Sequence, residues 1–261
     1  MTAIAVTLAA LLGLAVGSFL NVLIWRVPRN ESVVRPPSHC PACDAEISAR
    51  DNIPLLSWLV LRGRCRQCQA AISSRYPAVE LLTCALFVGM VLARGVHADL
   101  PAYLYLAAVG VALSFIDLDV KRLPDVITYP SYLVGFGLLG TAAFVDHQPG
   151  YLGRALLGLA TLGGFYFVLA VVKPGAMGWG DVKLAGVLGL YLGYLGWGEL
   201  AVGAFLGFLF GGVVGLVLMI GNRAHRKSRI PFGPFMVLGA YVAVVAGAPL
   251  AHMYTHALTV R

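Results

Sequence analysis

The sequence predicts an all-α integral membrane protein of about eight transmembrane helices with one small polar loop domain. Three observations carry that reading. The 261 residues are 59% hydrophobic and only 12% charged, whereas soluble domains are about 45–50% apolar and about 25% charged. Too few charges remain to cover such a chain in water, so part of its solvent must be lipid. The apolar residues also gather into runs near the length that crosses a bilayer, and Lys and Arg concentrate in alternate loops between them. The 31 Gly residues fit the same class, because small residues let membrane helices approach closely.

A spanning helix needs about 20 mostly apolar residues. The candidates, in order, are residues 3–25, 77–94, 101–119, 126–145, 152–172, 182–196, 199–221 and 233–254. The first lacks a basic segment before its apolar stretch, and positive charge follows it, so it is expected to be a retained helix rather than a cleaved signal. The sixth is short and rich in glycine, and Gly196-Trp197-Gly198 supplies only a tight turn into the seventh. Residues 26–76 form the one sizeable polar segment. No low-complexity tract, linker or internal repeat is evident. The expected division is a first transmembrane helix (1–25), a loop domain (26–76) and a membrane-embedded core (77–261).

All 19 Lys and Arg except Arg94, Arg154 and Arg261 fall in the first, third, fifth and seventh loops. The positive-inside rule then puts those loops in the cytoplasm and both termini outside. Arg223, Arg226, Lys227 and Arg229 in the seventh loop read as an orientation signal. The net charge of +7 has the same origin. Nucleic acid is not an expected partner, since no soluble basic domain exists beyond one short loop. The lipid bilayer is, and basic loops suit anionic head groups.

Four of the five cysteines lie in the first loop, as Cys40-Pro-Ala-Cys43 and Cys65-Arg-Gln-Cys68. Two such pairs predict a tetrahedral zinc site, each pair turning both sulfurs toward one ion. A pair of disulfides is the alternative; a loop on the reducing side of the membrane argues against it. With all four positions filled by Cys, such a site is structural and holds a loop too small for its own core. His39 is either a spare ligand or a solvated loop residue. Cys84, alone in an apolar run, reads as packing.

Carboxylates in or beside apolar runs are costly and call for an explanation. Asp117 ends the third run. Asp119, two positions on, points about 200° away on a helix. It can pair with Lys121 or Arg122. Asp125 follows Leu123-Pro124 and precedes an apolar run, where a helix N-cap belongs. Asp181 opens the sixth run inside Gly178-Trp179-Gly180-Asp181-Val182-Lys183. It too is either an N-cap with glycines for a turn, or a functional carboxylate. Topology puts Asp117 and Asp181 at the same membrane face. Two carboxylates converging at a dry boundary can act as an aspartyl dyad. Proton-relaying transporters also use membrane aspartates, but near the bilayer midplane. No His-Glu-x-x-His helix points to a metalloprotease.

At these residues the chain resembles the type IV prepilin peptidases, the leader peptidases of pilus and type II secretion systems. The likeness runs nearly end to end. It includes Gly17-Ser18-Phe19-Leu20-Asn21-Val22, both cysteine pairs, Asn52-Ile53-Pro54, and Arg75-Tyr76-Pro77 with Glu80. It continues through Ile116-Asp117, Leu123-Pro124-Asp125, Gly178-Trp179-Gly180-Asp181 with Lys183-Leu184, and Ile230-Pro231-Phe232-Gly233-Pro234-Phe235. Trp179 stands where many relatives carry Tyr, and both are interfacial aromatics.

The resemblance implies that Asp117 and Asp181 are the two catalytic aspartates, with Gly178, Gly180, Asp119, Asp125 and Lys183 as supporting motif residues. It implies an aspartyl endopeptidase of the bacterial inner membrane with its active site facing the cytoplasm. Its substrates would be prepilins and pseudopilins, cut after a Gly and before a residue that is usually Phe, with loss of a short basic leader. Members with the cysteine loop also methylate the new amino terminus, so S-adenosylmethionine is expected as a cofactor beside structural zinc on Cys40, Cys43, Cys65 and Cys68. No nucleotide-binding glycine loop marks where S-adenosylmethionine would sit.

Overall fold

The computed structural model describes residues 2–173, 175, 177–221 and 230–259, with residues 251–259 described as backbone alone. Arg223, Arg226, Lys227, Arg229 and Arg261 of the predicted charge pattern lie outside the described residues or their side chains. Among the described residues the elements are helical: α1 (Thr2–Arg26), α2 (Leu56–Val60), α3 (Arg75–Arg94), α4 (Leu100–Val120), α5 (Asp125–Val145), α6 (Pro149–Val172), α7 (Trp179–Leu195), α8 (Trp197–Ile220) and α9 (Gly233–Thr259). Each predicted apolar run became one of the eight long helices.

Seven of these are long and apolar enough to cross a membrane, and the 17-residue α7 is not among them. The count of about eight is met only if α7 is included. Every residue from Leu184 to Tyr194 is buried. A helix covered on all sides by other helices does not face lipid directly, so it needs less apolar length than its neighbours.

The chain divides into two compact units, Met1–Leu92 and Ala93–Arg261. In the first, α1 and α3 touch through glycines. A Cβ on Gly13 would fall 2.7 Å from Cys84 Cα, and one on Gly17 would fall 2.7 Å from Glu80 Cα. Cys84 is thus a packing residue at a close helix contact. The loop between α1 and α3 closes on buried Arg26, whose guanidinium donates to the carbonyls of Ser32 at 2.9 Å and Pro36 at 2.7 Å.

In the second unit, α6 and α7 meet backbone to backbone. A Cβ on Gly158 would lie 2.7 Å from Gly193 Cα, and one on Gly163 would lie 3.3 Å from Gly186 Cα. Gly239 of α9 meets Gly207 of α8 in the same way. Small faces of this kind replace the hydrophobic drive that lipid removes. The C-terminal turn of α7 leaves carbonyls without helical partners. Arg154 of α6 donates to those of Gly193 and Leu195, at 2.8 Å each, and to that of Tyr194. Tyr103 of α4 donates to the Tyr191 carbonyl at 3.1 Å, and Arg94 pairs with Asp99 nearby. One end of this unit is therefore pinned by polar contacts. The carboxylates lie at the other end.

Candidate active site and metal centre

Four helix ends meet around the carboxylates: the C-terminal end of α4 and the N-terminal ends of α5, α7 and α9. Asp117, in the last turn of α4, is buried at 4% exposure. Its Oδ2 accepts the Gly233 N–H at 3.0 Å. Gly233 opens α9, where an amide has no helical acceptor and the helix dipole favours an anion. Asp119 is exposed, as a rotation of about 200° requires. Helix α4 then stops at Lys121, which takes the left-handed conformation with φ 52°.

Asp181 is the third residue of α7. Its Oδ2 reaches back to accept the Gly178 N–H at 3.1 Å. It caps the helix from the third position rather than from the N-cap itself, which is Gly178. Leu123 fills the space between the two aspartate-bearing segments. A Cβ on Gly180 would lie 3.0 Å from Leu123 Cβ, and one on Gly233 would lie 3.3 Å from Leu123 Cδ2 and 2.9 Å from Asp117 Oδ2. Glycine at both positions lets α7 and α9 close on the leucine. Asp117 and Asp181 thereby stand on neighbouring helix ends, both against Leu123 or the glycine that touches it. Tyr166, Phe208 and Phe232 form a row of tilted rings, with centroids 5.3 Å and 5.4 Å apart in sequence, that ends at the residue before Gly233.

Asp125 does not cap α5. Pro124 is the N-cap, and Asp125, one position later, turns to Lys183 of α7 at 2.7 Å. A first-turn carboxylate already benefits from the helix dipole, and an ammonium within reach adds a partner that a backbone amide would not. Lys183 Nζ also lies 4.9 Å from the centre of the Tyr129 ring. Tyr132 donates its hydroxyl proton to the Lys183 carbonyl at 2.5 Å, passing over Gly186, which has no side chain to obstruct it. One face of α5 thus grips a single residue, two positions after Asp181, by side chain and by main chain. Sequence reading missed the two tyrosines. The signal was present in their spacing, four and seven positions after Asp125 on one helical face.

The four cysteines converge. Their sulfurs all lie within 4.8 Å of one another, and Cys40 and Cys68 are 3.8 Å apart. A tetrahedron with metal–sulfur bonds of about 2.3 Å has edges of about 3.8 Å. All four thiols are free, so the disulfide alternative is not the arrangement present. The set fits a zinc ion held by four thiolates. Amides of Cys68 and Gln67 pull the Cys65 thiol down to about 7, while, against an Ala45 amide that lowers it, the neighbouring thiols push Cys43 up to about 12, so the four sulfurs share their protons as one group. His39 is exposed, with Nδ1 3.2 Å from the Pro37 carbonyl, and is not part of the cluster.

The two cysteine turns are copies. The Cys40 N–H donates to Ala45 O and the Cys65 N–H to Ala70 O, at 2.9 Å and 2.8 Å. Asp44 and Gln69 take the left-handed conformation at equivalent places, and the bridges His39–Glu46 and Arg64–Ala71 close both turns. The repeat is written in the sequence, where one constant offset relates Cys40 to Cys65, Cys43 to Cys68, Ala45 to Ala70, Ile47 to Ile72, Ser48 to Ser73 and Arg50 to Arg75, and sequence reading missed it. Arg66 and Asp51 tie the second turn down with an exposed ion pair at 2.6 Å.

Fold and site together define a multi-pass helical membrane protein with paired carboxylates among its helix ends and a tetracysteine loop. Residues 11–94 match the bacterial peptidase A24 N-terminal domain, and residues 104–217 match the type IV leader peptidase family. A prepilin leader peptidase/N-methyltransferase of Aeromonas hydrophila is 40% identical over 95% of this chain and 93% of its own length. Proteins of the same description from Myxococcus xanthus and Pseudomonas aeruginosa are 42% and 32% identical, over 85% and 94% of this chain and 67% and 91% of theirs. No solved structure matches the chain. The chain belongs to the type IV leader peptidase family.

Proposed function

We propose that this protein is an intramembrane aspartyl endopeptidase that removes the basic leader from type IV prepilins and pseudopilins, and N-methylates the residue so exposed. The observation that carries the proteolytic reading is the convergence of Asp117 and Asp181 at adjoining helix ends. Relatives described as prepilin leader peptidase/N-methyltransferase support the substrate class. The work would take place at the cytoplasmic face of the inner membrane, with both termini outside, as the charge distribution argues.

Like charges held close in an apolar site cannot both ionise easily, so the dyad shares one proton. The ionised carboxylate takes a proton from a water, which attacks the scissile carbonyl. The protonated one donates a hydrogen bond to the carbonyl oxygen and then helps protonate the leaving amine. No covalent enzyme intermediate forms. The pair titrates as a unit, so neither role belongs to one aspartate alone. The helix-end amides of Gly233 and Gly178 orient the two carboxylates.

Cys40, Cys43, Cys65 and Cys68 would hold zinc, whose closed thiolate shell supplies structure and no chemistry. S-adenosylmethionine, when bound, would supply the methyl group that the new amine takes up, with S-adenosylhomocysteine as the leaving group and the amine proton passing to water.

The test is cleavage of a prepilin-like substrate by the purified full chain in detergent, read by intact mass with and without S-adenosylmethionine. Leader loss followed by a methyl-sized gain is expected. A folded, zinc-loaded protein that cleaves no such substrate would overturn the reading.

A further inference from the structure

We infer that the cavity between the end of α1 and the following loop is the S-adenosylmethionine site. The inference rests on the methyltransferase part of the proposed function. The cavity has a volume of about 420 Å³, within the range of sites that enclose a nucleoside-sized ligand, about 300–1,000 Å³. It lies wholly in the first compact unit. Its walls are built from sequence elements that the proteolytic site leaves unused: Ser18 and Phe19 of α1, and Asn52 and Pro54 of the loop.

The fit is chemical as well as steric. Ser18, Ser38 and Asn52 offer hydroxyl and amide groups suited to a ribose and an amino acid head. Phe19, Val22 and Pro54 offer apolar surface to an adenine ring. Buried Glu80 stands beside Ser18 and accepts the Leu55 N–H at 2.8 Å, holding the Asn52–Leu55 rim against α1. Arg26 fixes the opposite rim through the carbonyls of Ser32 and Pro36. The Glu80 carboxylate behind the wall suits a ligand that carries a sulfonium charge, and the Arg26 guanidinium, which also lines the cavity, suits that ligand's carboxylate.

The geometry also ties this cavity to the metal. Ser38 lines it, and its carbonyl accepts the Ile47 N–H at 2.8 Å, across the first cysteine turn. Cys40 follows two residues later. A filled zinc site therefore holds one wall of the cavity in place, so zinc loss should weaken methyl-donor binding.

The test is binding of tritiated S-adenosylhomocysteine, which cannot react, to the full zinc-loaded chain in detergent. Ultraviolet cross-linking of tritiated S-adenosylmethionine maps the contact. Ala15→Phe fills the cavity from an exposed position on α1, and Asn52→Ala removes a rim amide. Each should weaken binding by about tenfold or more, at wild-type zinc content and melting temperature, while Asp181→Asn binds as the wild type. Label should fall within residues 15–54. Wild-type affinity in both cavity variants, or label confined to other segments, would overturn the placement. So would a co-purifying phospholipid displaced by Ala15→Phe with S-adenosylhomocysteine binding unchanged. No binding to the wild type would overturn the methyltransferase reading itself.

Discussion

Asp117 gives one oxygen to the Gly233 amide, and Asp181 gives one to the Gly178 amide. Each carboxylate is thereby aimed, and each has a second oxygen with which to act. Asn keeps the shape of Asp and removes its titrating group. Asp117→Asn and Asp181→Asn should each lower kcat/KM for leader cleavage by about 10³-fold or more. Exposed Asp119 should tolerate the same change with a loss of at most about tenfold. Full activity in either of the first two variants sinks the dyad. Gly233→Ala provides a subtler probe. The added Cβ would lie 2.9 Å from Asp117 Oδ2. A displaced catalytic group costs on the order of 10²-fold, so kcat should fall by about that factor while KM holds. Helical rotation showed in the sequence that Asp117 and Asp119 face apart, but not which of them is buried. The role of Gly233 could not be read there, because its partner is 116 residues away.

At the scale of helices, Lys183 is where α5 registers α7. Asp125 and Tyr129 hold its ammonium and Tyr132 holds its carbonyl, two residues from Asp181. Lys183→Met should lower kcat by about tenfold with little change in KM, and Lys183→Arg should recover part of the loss. Equal kinetics for all three proteins would mean that the grip positions nothing. The α6–α7 contact makes a different demand. Bulk at Gly158 would meet the α7 backbone. Gly158→Val should destabilise the protein by about 1–3 kcal/mol, read as a lower midpoint of thermal unfolding in micelles. The apolar runs revealed these helices nearly end to end, and only the C-terminal end of α9, at Thr259 rather than residue 254, moved by more than a turn. Asp125 was read as a cap because local sequence cannot show that an ammonium waits 58 residues later.

For the molecule as a whole, the loop domain gathers four cysteines that could hold a metal ion, and the membrane core rests on glycine-mediated packing. One zinc per chain is expected by elemental analysis, falling toward zero when Cys43 and Cys68 are replaced by Ser. Zinc retention should fall as pH falls. Cysteine holds zinc as the thiolate, so protons compete with the ion for every ligand of the site. Release should therefore grow on acidification from pH 8 to pH 5, followed with a zinc indicator. Release that grew in the opposite direction would rule out thiolate ligation. Engineered single cysteines should react with a membrane-impermeant maleimide from the outside at residue 148, and only from the cytoplasm at residue 122, if both termini lie outside.

By itself the sequence determined the class of the protein. A chain with 12% charged residues cannot be covered by water, and apolar runs of bilayer length must become helices. It also pointed to the cysteine cluster, since two closely spaced cysteine pairs have the spacing of a four-thiolate site. Local patterns of this kind need no knowledge of distant partners. Only the tertiary structure brought Asp117 to Asp181 around Leu123, gathered three α5 residues on Lys183, and gathered α1 and loop motifs around one cavity. These contacts join segments tens of residues apart, and they arise from how helices pack and where their ends fall, a property of the folded molecule that no single stretch of the chain contains.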